Sequence, residues 1–155
     1  MPQPRPNLVG EVVEGRIIVS VTVLHPETKE EKPYLGLIDT GATRSVITDR
    51  VAQELSIFPI GEIPVTTASG RTVSLVYKAE IRAQIPASGD SRHTSIGCDC
   101  TATAWPGLRI GQENQRIDVL IGMDIIMKHR LVVEGNHFEF GFPLGTIAPR
   151  TNRNP

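Results

Sequence analysis

Between positions 16 and 23 apolar and polar residues alternate. Ile17, Val19, Val21 and Val23 face one way, and Arg16, Ser20 and Thr22 the other. A period of two marks a strand with one buried face, so residues 8–24 read as one or two strands. The charged stretch from His25 to Lys32 reads as a solvated hairpin loop. A return strand follows from Tyr34 to Ile38 and ends at Asp39. Ser45-Val46-Ile47 is strand-like. Thr48 can cap a short helix with Asp49 in its first turn, where a carboxylate meets the helix dipole. Ile47, Val51 and Leu55 make its apolar stripe, and Pro59 and Gly61 close the section.

A long hairpin comes next. Residues 62–67 lead up, Ala68-Ser69-Gly70-Arg71 turns, and residues 72–85 lead down. In the descending strand Val73, Leu75, Tyr77, Ala79, Ile81, Ala83 and Ile85 oppose Thr72, Ser74, Lys78, Glu80, Arg82 and Gln84. Only Val76 breaks the second set. Residues 86–90 read as a loop. Arg92 to Ala104 can form another strand, with Ile96, Cys98, Cys100, Ala102 and Ala104 inward as small apolar fillers. Trp105-Pro106-Gly107 and the polar run 111–116 read as a long loop, with Trp105 most readily a core residue. Ile117 to Ile121 reads as a buried strand ending at Gly122. Asp124 is the expected cap of a helix from Ile125 to His129. Residues 131–134 and 137–140 flank a two-residue Gly135-Asn136 turn, with Phe138, Phe140 and Phe142 on one face. The ends, 1–7 and 149–155, are polar and proline-bearing and read as flexible tails. One internal echo stands out: apolar strand, Gly turn and short helix, at 37–55 and again at 119–129.

Composition narrows the function classes. The chain has 155 residues, enough for one domain with a real core. Its net charge of −1 leaves no electrostatic footprint for nucleic acid or an anionic membrane. No apolar run approaches the roughly 20 residues of a membrane span. The start lacks an apolar signal-peptide core, which makes a cytoplasmic protein, or an excised domain of a longer one, the expectation. The two cysteines, Cys98 and Cys100, share a strand face and rarely reach disulfide geometry at that spacing. His25, His93, His129 and His137 are scattered without metal-ligand spacing, so neither metal nor cofactor is expected.

The stretch with chemistry in it is Leu37-Ile38-Asp39-Thr40-Gly41-Ala42. An apolar run delivers one carboxylate onto a tight Thr-Gly turn, with small neighbours that let a substrate backbone approach. Gly41 is expected to take dihedrals closed to other residues. Thr40 offers a hydroxyl to backbone or to its counterpart in a second subunit. Downstream, Val119-Leu120-Ile121-Gly122 is a second apolar-Gly element.

Both elements, in this order, resemble the active-site loop and following apolar-Gly segment of retroviral-type (retropepsin-like) aspartic proteases, the single-domain branch with cellular and bacterial relatives. The resemblance covers roughly residues 8–142. It implies a mainly β, closed barrel-like acid protease fold with one or two short helices, occupying 8–148. It implies Asp39 as the catalytic carboxylate and Thr40, Gly41 and Ala42 as the active-site loop. Thr67, Ala68, Ser69, Gly70 and Arg71 would be the tip of a flap over the substrate; the plain reading is an ordinary turn. Leu120, Ile121, Gly122, Asp124 and Arg44 would support the loop.

The family chemistry needs two carboxylates sharing a proton, and this chain has one Asp-Thr-Gly. A homodimer acting on peptide or protein substrates, with Asp39 from each subunit at the axis, is the implied solution. The alternative is a catalytically silent dimerisation or peptide-binding module on the same fold. A structural β-domain with an accidental motif is a further rival. Retroviral enzymes usually carry an acidic residue after Asp-Thr-Gly-Ala and an Arg after the second Gly. Here Thr43-Arg44 and Met123-Asp124 occupy those places, so either a charge-swapped Arg44–Asp124 bridge forms, or Asp124 caps its helix while Arg44 is solvated or lines the groove.

Overall fold

The computed structural model describes residues 8–83, 98–103 and 105–141, with 67, 83 and 98–103 described by backbone alone. Both tails, the loop at 86–90, the start of the strand expected from Arg92, and Phe142 lie outside the described residues. So does the inward packing expected of Cys98 and Cys100.

The alternating stretches form strands. β1 (Leu8–Glu11) turns through Glu14 and Gly15 into β2 (Ile17–Leu24), and β3 (Glu31–Ile38) returns beside it. β4 (Val46–Ile47) leads into α1 (Asp49–Glu54), capped by Thr48, whose hydroxyl accepts from the Val51 N–H. Ile47, Val51 and Leu55 are all fully buried, but Ile47 is buried from β4, ahead of the helix whose apolar stripe the sequence assigns it to. β5 (Gly61–Thr67) and β6 (Gly70–Ala83) make the long hairpin, and β7 (Cys98–Thr103) pairs with β6. β8 (Leu108–Ile110) and β9 (Gln115–Ile117) follow, then β10 (Val119–Ile121) and α2 (Met123–Ile126). β11 (Arg130–Glu134) and β12 (His137–Gly141) flank the Gly135-Asn136 turn.

The strands are mainly one sheet, in the order β4-β10-β3-β2-β6-β5, with β7 branching from β6. An isolated bridge between Thr48 and Trp105 links the segment after β7 to the end of β4. Among the described residues no continuous ladder closes the sheet into a barrel. A smaller sheet, β1-β12-β11, packs Leu8, Phe138 and Phe140 into the same core as Val21, Ile47 and Ile121. β10 is the late arrival. It runs parallel to β3 and antiparallel to β4, pairing Leu120 with both Leu37 and Val46.

Several local expectations change once neighbours are in place. Residues 108–117 form a hairpin, not an open loop. Trp105 is half-buried. Val73 is exposed while Ser74 and Val76 are buried; up to Ser74 β6 pairs with β5 alone, and β7 joins it from Val76 onward. α2 starts at Met123 with Gly122 as its cap residue, and Asp124 lies inside its first turn. The strand expected over 117–121 is broken at Asp118.

That break carries a buried carboxylate. Asp118 is 2% exposed. Its Oδ1 accepts from the Thr48 hydroxyl at 2.7 Å and Arg116 Nε at 2.8 Å, and its Oδ2 from Arg50 Nη1 at 2.8 Å. Its backbone N–H donates to Leu35 O and its carbonyl accepts from Thr48 N–H. One residue thus ties β3, the start of α1 and β9 together. Burial alone works to raise the Asp118 pKa. Hydrogen bonds from Arg116 and Thr48 and the two arginine charges outweigh it and hold the carboxyl below its usual range.

A depressed folded pKa means that ionised Asp118 stabilises the fold above about pH 4, and that this contribution drains away as acid protonates it. Arg50 and Arg116 are 45% and 33% exposed, so solvent screens both pairs. Asp118→Asn should therefore cost about 1–2 kcal/mol at pH 7 by denaturant unfolding. The gap from wild type should narrow below pH 4. A gap that persists unchanged to pH 2.5 would remove the charge from this account.

Candidate active site

Asp39 stands where β3 ends. Ile38 pairs with Ile121 of β10, and both are buried. The Asp39 N–H then donates to Ile121 O at 2.9 Å, so the ladder runs up to the carboxylate itself. The turn closes locally: Gly41 N–H donates to Asp39 Oδ1 at 2.8 Å, and Ala42 N–H to Asp39 O at 3.2 Å. Asp39 is half-buried, and among the described residues its Oδ2 has no partner. Thr40 is exposed, and its hydroxyl has no partner among them either. The turn at the strand end thus holds one carboxylate oxygen and leaves the other open among the described residues.

Glycine at position 41 gives room in a way other than the one expected. Its φ is not in the left-handed region. A Cβ there would instead sit 3.1 Å from Asp39 Oδ1, in the space where that oxygen meets the Gly41 N–H.

The second element backs the first. A Cβ on Gly122 would lie 2.6 Å from the carbonyl carbon and oxygen of Arg44 and 2.9 Å from Ala42 O. The missing side chain lets the start of α2 seat against the loop. Met123 N–H donates to Ala42 O at 2.7 Å, and Asp124 N–H to Thr43 O at 3.2 Å. Asp124 Oδ2 accepts from Ser45 N–H at 3.0 Å. Its Oδ1 accepts from the Ser45 hydroxyl at 2.6 Å and from Ile125 N–H at 2.9 Å. Ser45 Oγ in turn accepts from Gly122 N–H at 2.9 Å.

Asp39, Thr40, Gly41, Ala42, Leu120, Ile121, Gly122 and Asp124 are thus brought together. Within the chain the Arg44–Asp124 bridge does not form. Ser45 and Ile125 occupy the Asp124 carboxylate, and Arg44 is exposed without an ion pair among the described residues. Ala68, Ser69, Gly70 and Arg71 are exposed at the tip of the β5–β6 hairpin, where Thr67 pairs with Gly70. β6 is two strands from β3 in the sheet. Ser45 is the residue that sequence reasoning missed. It is fully buried, yet a serine before a short strand carries no sign that its partner lies 79 positions away. No group of three or more His, Cys, Asp and Glu among the described residues is placed to hold a metal ion.

A family model described as aspartyl protease matches residues 19–125, most of the chain and both elements of the site. Among solved structures, the chain is similar to a retropepsin-like aspartic protease from Rickettsia conorii. The TM-score is 0.52 at 12% sequence identity, over 88% of this chain and 90% of that one. At that identity the likeness speaks for the fold. No curated protein sequence matches.

Gly122→Ala should destabilise the fold by about 1–3 kcal/mol, because the added methyl meets backbone that must shift. Gly61→Ala, where a Cβ meets nothing within 4 Å, should change stability far less. Equal unfolding midpoints for the two variants would show that the close approach at Gly122 is not needed.

Proposed function

The chain belongs to the aspartyl protease family, and from that premise we propose that it is an endopeptidase whose active site is completed by a second copy of itself. Residues 8–148 are the working domain in this reading. Among the described residues no helix is long and apolar enough to cross a membrane, in keeping with a cytoplasmic enzyme acting on peptide or protein substrates.

The observation that carries the reading is how the chain uses its aspartates. Asp49 accepts from the Tyr77 hydroxyl, Asp118 is enclosed by Thr48, Arg50 and Arg116, and Asp124 is saturated by Ser45 and Ile125. Asp39 alone of these stands on a turn flanked by small residues with an oxygen to spare. The family's chemistry, a water activated by one aspartate, needs a second carboxylate to protonate the carbonyl oxygen, and a two-fold axis at the Asp39 loops would supply one.

Two carboxylates held that close cannot both ionise, so the pair keeps one proton. The ionised member takes a proton from a water as its oxygen attacks the scissile carbonyl. The protonated member donates to the carbonyl oxygen. Collapse of the tetrahedral species breaks the C–N bond, and a proton passes to the leaving nitrogen. Thr40, with its unpartnered hydroxyl, would brace the two loops across the axis. The β5–β6 tip, residues 67–71, would cover the bound peptide. The pair must hold one proton, so cleavage should favour the acidic side of neutrality, and because no step requires a metal or a thiolate it should resist chelators.

Asp39→Asn should fold and dimerise normally and cleave no member of a peptide library that wild type cleaves. Cleavage by the variant at the wild-type rate would remove Asp39 from the mechanism. If neither protein cleaves, while both dimerise and bind peptide, the chain is a silent module on the same fold.

Specific activity should fall when the enzyme is diluted below its dimer dissociation constant, measured by sedimentation. Thr40→Val should raise that constant, a loss of order 1–3 kcal/mol if a buried partner hydroxyl is left unsatisfied. Full cleavage by a demonstrated monomer would rule out the shared site.

A further inference from the structure

Arg44 is an unpaired cation on a fixed base. Its backbone is pinned on both sides: Thr43 O accepts from Asp124 N–H, Ser45 N–H donates to Asp124 Oδ2, and Gly122 seats against the Arg44 carbonyl. Its side chain is exposed and has no hydrogen bond or ion pair among the described residues. Most other described arginines meet an acceptor: Arg16 at Glu14, Arg50 at Glu54 and Asp118, Arg82 at Glu80, Arg116 at Asp118, Arg130 at Glu139 and Arg109 at Asn114 O. The exceptions are Arg44, in the Asp39 loop, and Arg71, at the hairpin tip. The carboxylate that packs against the Arg44 loop, Asp124, bonds Ser45 and Ile125 and not the guanidinium.

We propose that Arg44 forms a substrate subsite that selects an acidic side chain close to the scissile bond. The inference rests on the peptidase reading above and names the substrate class for it. A guanidinium presents a planar fork of donors that matches a carboxylate in two parallel bonds. Its pinned backbone lowers the ordering cost of that contact. Arg44 lies on the same loop as Asp39, five positions on, and is exposed, so a peptide laid against Asp39 would lie near it. A two-fold dimer carries the residue twice, so acidic residues are favoured at matching places on both sides of the cleaved bond.

The test is a ratio. Peptides that wild type cleaves are made with Glu or its neutral isostere Gln at each position flanking the bond. At pH 5.5 the best position should show kcat/KM for Glu about tenfold above Gln, on the order of one charge-assisted hydrogen bond. The ratio should fall toward one below about pH 4, as the substrate carboxyl protonates. Arg44→Ala should bring the ratio near one, Arg44→Lys should keep part of it, and Arg44→Glu should turn the preference toward Lys. Arg109→Ala, removing an exposed charge elsewhere, should leave the ratio unchanged. A ratio of one in wild type, or an equal loss in Arg109→Ala, overturns the subsite. If no peptide is cleaved at all, it is the peptidase reading that fails. The subsite is then judged by binding: Asp39→Asn should bind the Glu peptide more tightly than the Gln peptide, and adding Arg44→Ala should abolish the difference. Equal binding of the two peptides by Asp39→Asn overturns it.

Discussion

Everything at the candidate site depends on β10 lying between β3 and β4. β3 and β4 are neighbours in sequence, whereas β10 comes from far down the chain and pairs with both at once. The ladder does not stop at the strand ends. It continues through Asp39 N–H to Ile121 O, and through Met123 and Asp124 N–H to Ala42 and Thr43 O. A loop that would otherwise be free at the tip of β3 is thereby held along its length. Holding a carboxylate within a fraction of an ångström is what separates a reactive aspartate from a solvated one. The seat works only because Gly122 has no side chain: any Cβ there meets the backbone of Arg44.

The carboxylates divide by their surroundings. Asp118 is desolvated but ringed by donors, so it stays ionised and acts as a strut. Asp124 is saturated by Ser45 and its own helix, so it acts as a bracket for the loop. Asp39 keeps an open oxygen. Residue type is the same in all three, and the number of donors each meets decides its role.

The same division sets a limit on acid chemistry. A shared-proton dyad works on the acidic side of neutrality. The Asp118 network weakens when its carboxyl protonates, and it joins β3 and α1, the elements on either side of the Asp39 loop. Its depressed pKa keeps it intact through mildly acidic conditions. Tyr34 adds to the same region by donating to Glu54, with burial and that bond pushing its phenol up. The Asp118 strut therefore sets a lower pH bound for the fold, and the proposed mechanism would have to work above it.

Much was legible in the chain itself. Alternation at 17–23 and in the middle of 72–85 marks strands because a sheet buries every second side chain. Thr48 and the acidic Asp49 after it mark the start of α1, and Val51 and Leu55 mark its buried side. The Asp39-Thr40-Gly41-Ala42 and Leu120-Ile121-Gly122 stretches point to the family and to the two halves of the site. Local periodicity could not foresee what depends on partners far along the chain. It did not show that Asp118 breaks its strand to meet Thr48 and two arginines, that Ser45 joins Gly122 to Asp124, or that Arg44 is left unpaired. It placed Gly41 in a special backbone conformation, whereas what the glycine gives is space beside Asp39 Oδ1. The sequence by itself determined most of the strands, the helix cap and the Asp-Thr-Gly turn at the end of β3, because each rests on neighbours within a few residues. Only the tertiary structure decided which carboxylates are struts and which remains open. That depends on donors brought in from segments roughly 70 to 80 positions away.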